Sequence, residues 1–197
     1  MKTNVIIVFL FLFSFSVIQA QEKEKRHDIS AGYGIVNTDE VLGVTTSIFT
    51  SIITLAHANR TNMKWSGLYN LGYKYRFGKM FPVGIAVGYE QMSADLTDND
   101  QVVLATEKGQ LITVMLRGSI RYVNKRVFQM YSGLSVGYTF ANYVVTKDDG
   151  TKSESSNNHF NGQVNLIGLR VGTVVGGFLE LGFGAKGIIN FGLSCQF

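Results

Sequence analysis

Ile188 to Phe197 alternate in character: Ile189, Phe191, Leu193, Cys195 and Phe197 are apolar, and Asn190, Gly192, Ser194 and Gln196 between them are small or polar. A period of two places one set on each face of a β-strand. The same period recurs near 27–36, 64–77, 83–96, 110–123, 127–145, 159–172 and 177–184, so the chain carries eight such stretches, counting 187–197. It predicts an all-β fold. Past the amino-terminal segment, no window holds the roughly 20 uninterrupted apolar residues of a membrane-spanning helix, so any membrane residence is through strands.

Parity assigns the faces. In the second stretch Trp65, Tyr69, Leu71, Tyr73, Tyr75 and Phe77 oppose Ser66, Asn70, Gly72, Lys74 and Arg76. The fourth sets Ile112, Val114, Leu116, Ile120 and Tyr122 against Thr113, Arg117, Ser119 and Arg121. The fifth sets Phe128, Met130, Leu134, Val136, Tyr138 and Phe140 against Gln129, Gly133, Ser135, Gly137 and Thr139. Charge keeps company with glycine, serine and threonine, never with the aliphatic stripe. In the sixth stretch Val164 and Leu166 hold one phase and Ile167, Leu169 and Val171 the other. A bulge near Leu166 reconciles them.

The connections alternate in length. Long ones at about 37–63, 97–109 and 146–158 interleave with tight ones at Gly78–Pro82, Asn124–Arg126 and Gly172–Gly176. Short turns at one end, longer loops at the other and an even strand number are the habit of barrels in bacterial outer membranes. The fourth long position, Gly184–Gly187, is short and breaks the pattern.

The amino terminus points to export. Lys2 precedes an apolar run from Val5 to Phe13, and a softer stretch closes at Ala20 before the charged QEKEKR. This reads as a signal peptide over 1–20 that is cleaved, leaving one domain over 21–197. Charged residues are 16% of the chain, against about 25% in a typical soluble domain, while glycine numbers 22 and aromatics reach 12%. The net charge of +4 comes with no basic stripe interleaved with stacking aromatics, so nucleic acid is not an expected partner. One cysteine, Cys195, excludes a disulfide scaffold.

With these strands, loops and the terminal aromatic in view, the chain resembles the small outer-membrane β-barrel proteins, the OmpX and OmpA transmembrane-domain kind. GGFLELGFGAKGIINFGLSCQF is especially similar to the closing hairpin of such barrels from Bacteroidota. The resemblance implies an eight-stranded, antiparallel, up-and-down transmembrane β-barrel in the outer membrane, with both termini in the periplasm. It also implies that Leu193, Cys195 and Phe197 form the signal read by the barrel-assembly machinery, with periplasmic chaperones as partners during export and outer-membrane lipid and lipopolysaccharide as surroundings. Cys195 stands where that family often has an aromatic.

The charges on the polar face then fall inside: Asp28, Lys74, Arg76, Glu90, Arg117, Arg121 and Glu180, with Arg170 if the bulge is where the phase breaks. Eight strands leave an interior just wide enough for side chains. The expectation is a filled interior of ion pairs, with Glu90 beside Arg117 and Asp28 beside Arg76. A soluble lipocalin-like barrel, whose apolar stripe faces inward, is the non-membrane alternative.

In the first long connection Val41, Leu42, Val44, Ile48, Phe49, Ile52, Ile53 and Leu55 recur at helical spacing, which predicts an amphipathic lid. The third, TKDDGTKSESSNN, reads as a solvated loop. Enzyme signatures are thin: His57 with Ser51, and His159 with Ser155 or Ser156, are the only dyads to draw, and no metal-ligand or cofactor motif is present. The expected role is therefore structural or loop-mediated binding by a monomer, with no catalytic, cofactor or metal residues. A narrow solute channel and a lipid-modifying enzyme are the rival readings.

Overall fold

The computed structural model describes residues 25–36, 59–78, 80–97, 103–147 and 150–197. The expected leader and the amphipathic stretch of the first long connection, His57 included, lie outside the described residues. Ten strands are present among these: β1 (His27–Ile35), β2 (Asn59–Trp65), β3 (Leu68–Phe77), β4 (Phe81–Thr97), β5 (Val103–Asn124), β6 (Phe128–Lys147), β7 (Lys152–Ser156), β8 (His159–Gly172), β9 (Val175–Gly184) and β10 (Ile189–Gln196). All pairings are antiparallel, and eight strands close a ring in the order β1, β3, β4, β5, β6, β8, β9, β10. Closure is the β1–β10 ladder, from Asp28 opposite Gln196 to Ile35 opposite Ile189. This is the expected barrel. No sheet edge is left within the ring, which removes the unpaired backbone groups that a bilayer would not tolerate.

β2 and β7 are upward continuations of β3 and β8. β2 pairs with the upper part of β4, and β7 with the upper part of β6. Residues 152–156, expected as plain loop, are thus a strand; all five are exposed, so no apolar alternation betrayed it. The junction at Ser66 and Gly67 corrects a second expectation. Trp65 lies opposite Met92, whereas Tyr69 lies opposite Tyr89, so the register slips by one residue between them. That slip turns Trp65 to the inner side, where it packs on Met92, Ala94, Leu111 and Ala141. Gly67 holds φ +71° there, and a Cβ would stand 2.5 Å from the Tyr33 hydroxyl oxygen, which itself donates to the Ser66 carbonyl at 2.6 Å.

The phase break in the sixth stretch is a bulge. The ladders to β6 and β9 both step over Leu166, whose carbonyl accepts the Ser132 hydroxyl at 2.6 Å. On either side of it Val164 and Val171 face outward, and Arg170 faces in.

The outer surface is apolar, with Leu116, Leu134, Val136 and Leu193 each more than 60% exposed. Aromatic contacts gather near both ends of this belt. His27, Tyr75 and Phe197 meet at the lower end, with His27 and Phe197 stacked at 5.4 Å. Tyr138 lies edge-on to Phe140 and Phe160 at the upper end. From Phe128 to Phe140 the strand climbs twelve residues, about 40 Å of chain and about 30 Å of height at a tilt of about 40°. The belt matches the apolar thickness of a bilayer. Because the polar face is the buried one, the lipocalin-like arrangement is excluded.

Candidate functional site in the barrel lumen

Every second residue of these strands points inward, and the barrel is too narrow to leave those side chains in bulk water. Asp28, Lys74, Arg76, Glu90, Arg117, Arg121 and Glu180 are all at most 8% exposed. Burial at this level costs several kcal/mol per ion unless partners compensate it. The pairing is therefore the informative part.

Glu180 on β9 is the hub. Its Oε1 accepts from Arg117 at 2.8 Å and from the Tyr131 hydroxyl at 3.0 Å. Its Oε2 accepts from the Asn190 amide at 2.7 Å and from the Lys186 ammonium. Four donors from four different stretches of chain converge on one carboxylate.

Asp28 on β1 forms a looser centre one level below. Its Oδ2 accepts the Gln196 amide at 2.8 Å, while Lys74 and Arg121 stand at 3.8 and 3.9 Å from the same oxygen. Gln196 continues the network to Gln129. Lys74 also lies 5.2 Å from the centre of the Tyr131 ring, within cation–π range.

Both expected pairings are replaced. Arg117 lies opposite Gly84 on β4, six residues down the strand from Glu90, and pairs with Glu180 across the lumen. Arg76 lies one inward position below Lys74, at the barrel's lower mouth, and donates to the Lys25 carbonyl. Depth counting failed because equal counts from the lower turns are not equal register, the ladder setting Glu90 opposite Leu111, and because in a narrow barrel long side chains meet across the axis.

Arg170 is buried and held by neutral acceptors: the Ser194 hydroxyl at 2.6 Å and the carbonyls of Gly172 and Val174 at 2.8 and 2.9 Å. Two interior charges were missed in the sequence. Glu107 was lost to an expected loop, although even spacing from Arg117 along β5 puts it on the inner face. Lys186 belongs to the tight Gly184–Gly187 connection, which reads as a surface turn; instead the backbone N–H of Lys186 donates to Gln163 Oε1 and its side chain runs down to Glu180.

Leu193 and Phe197 project outward in the closing strand, with Cys195 half-buried on the same face. Ser155 and Ser156 stand on the exposed β7. No cluster of metal-ligating side chains occurs among the described residues.

Three comparisons bear on this geometry. The fold is similar to that of Ail, the attachment invasion locus protein of Yersinia pestis, solved in complex with the heparin analogue sucrose octasulfate: 14% identity over 88% of this chain and 96% of that one, TM-score 0.44. It is also similar to the outer membrane protein OprG from Pseudomonas aeruginosa, at 13% identity over 89% and 97% of the two chains, TM-score 0.41. Against the sequences of curated proteins the chain has no match. The model of the outer membrane protein β-barrel domain matches residues 7–191. The chain belongs to this outer-membrane β-barrel family, and the outer membrane is where it resides.

Proposed function

We propose that the protein is a monomeric, non-conducting component of the outer membrane whose role is structural or one of binding through the parts that rise above the apolar belt. The observation that carries this reading is the lumen, crossed by the Glu180 and Asp28 networks from wall to wall. Solute passage would require breaking buried charge pairs at several kcal/mol each. The upper rim supports the second half of the reading. β5 continues nine residues above Ile112 and β6 seven above Phe140, and the wall is extended on either side by β2, paired with the top of β4, and by β7, paired with the top of β6. Among the described residues β1, β9 and β10 stop near the belt, while the β4–β6 wall stands clear of the membrane.

In this reading lipid and lipopolysaccharide surround the belt. The assembly machinery and its chaperones read Leu193, Cys195 and Phe197 during biogenesis. No catalytic step is assigned to the chain. Purified protein in planar bilayers is expected to give no resolvable single-channel steps, and porin-sized steps would overturn the filled-barrel reading. Lipid A profiles, by mass spectrometry, are expected to be unchanged on replacing His57 and His159 with alanine; a lost modification would establish an enzyme instead.

A further inference from the structure

The lower lumen carries more positive than negative charge. A small cavity there is lined by four cations, Lys74, Arg117, Arg121 and Arg170, but by only two carboxylates, Asp28 and Glu180. Glu180 is already shared by Arg117 and Lys186. Arg170 binds neutral acceptors among the described residues. Lys74 and Arg121 are left to share one oxygen of Asp28, each at a distance longer than a hydrogen bond.

Two donors on this cavity wall have no hydrogen-bond partner: Ser30 Oγ and Arg121 Nε. Their residues are 3% and 5% exposed, so bulk water does not satisfy them. Ser30 Oγ and Arg117 Nη1 both stand about 3 Å from the point a Gly72 Cβ would occupy, so glycine is what lets these two groups approach each other there. Asp28 Oδ1, also without a hydrogen-bond partner, lines the same cavity and repels negative charge, so the cations there must outweigh it for an anion to enter. A surplus of buried positive charge beside open donors is the electrostatic demand for a counter-ion.

We propose that the lower lumen binds one small inorganic anion of halide size, held by the Lys74 ammonium, the Arg121 guanidinium and the Ser30 hydroxyl. The cavity is small, with room for roughly one compact particle, which favours a monatomic anion over sulfate, phosphate or a carboxylate. The anion supplies the negative charge the strands omit, and it ties β1, β3 and β5 together from inside the barrel.

The test uses the full-length, folded protein in detergent, with sodium bromide and sodium chloride as probes. Crystals grown in bromide are expected to show an anomalous peak beside Lys74 and Ser30. Chloride is expected to raise the unfolding temperature saturably above that in gluconate at equal ionic strength, as a ligand of the folded state does. Lys74→Met removes one cation and is expected to abolish both the peak and the chloride effect. Ser30→Ala, which leaves every charge in place, is expected to keep the fold and weaken the chloride effect, so the proposal stays testable if Lys74→Met does not fold. A water at this position with no anomalous signal, or bromide bound only at crystal concentrations with no chloride effect in solution, overturns the proposal. An equal chloride effect in the native protein and both variants does so as well.

Discussion

Glu180 compensates two buried cations, Arg117 and Lys186, and its removal leaves both in the barrel interior without the carboxylate they are paired with. Glu180→Ala is therefore expected to destabilise the barrel by about 3–5 kcal/mol, the range for breaking a buried ion pair from one side. Replacing all three charged residues by apolar ones of similar volume, Glu180→Leu with Arg117→Met and Lys186→Met, is expected to recover most of that loss, because desolvation and unpaired charge disappear together. Denaturant unfolding in lipid vesicles, followed by the gel-mobility difference between folded and heated forms, measures both. If the single and triple variants are equally unstable, the network acts through shape and not charge. The identity of these interior residues was legible in the sequence from parity alone. Their partners were not, since the Arg117–Glu180 contact links residues 63 apart in sequence across the lumen, a distance that strand counting around the wall does not measure.

For the strands, legibility followed the apolar stripe. Wherever lipid-facing residues alternate with lumen residues, as from Ile112 to Leu116, the period gave both the strand and its faces. Above the belt both sides of the wall leave the hydrocarbon, the pattern lapses, and β2, β7 and the top of β5 read as loop. The bulge at Leu166 is the opposite case, a defect visible because the apolar phase changes across it. Deleting Leu166 restores an unbroken alternation from Val164 through Arg170 and brings the β6 and β9 ladders into one register. This deletion is expected to give a barrel that still folds and shows heat-modifiable gel mobility. Deleting Leu134, in an unbroken part of β6, moves every residue on one side of the cut to the wrong face. That variant is expected to fail to fold. Equal outcomes for the two deletions would mean that Leu166 is not the residue stepped over.

Among the described residues the barrel has a tall side and a short side, and the single tryptophan reports on which is which. Trp65 lies on the inner surface of the tall wall, above the belt, packed with Met63, Met92 and Tyr143. Simple alternation from Tyr69 would instead have turned it outward, on the lipid-facing side. The two placements differ in their exposure to acyl chains. In vesicles of lipids brominated along their chains, the native fluorescence is expected to be nearly unquenched, because the indole is separated from hydrocarbon by the sheet and by height. A tryptophan moved to Leu116, 63% exposed on the outer face in mid-belt, in a Trp65→Phe background, is expected to be strongly quenched in the same vesicles. Strong quenching of native Trp65 would return the residue to the lipid face. It would also remove the register slip at Ser66 and Gly67, and with it the inward-facing surface of the wall that stands above the membrane.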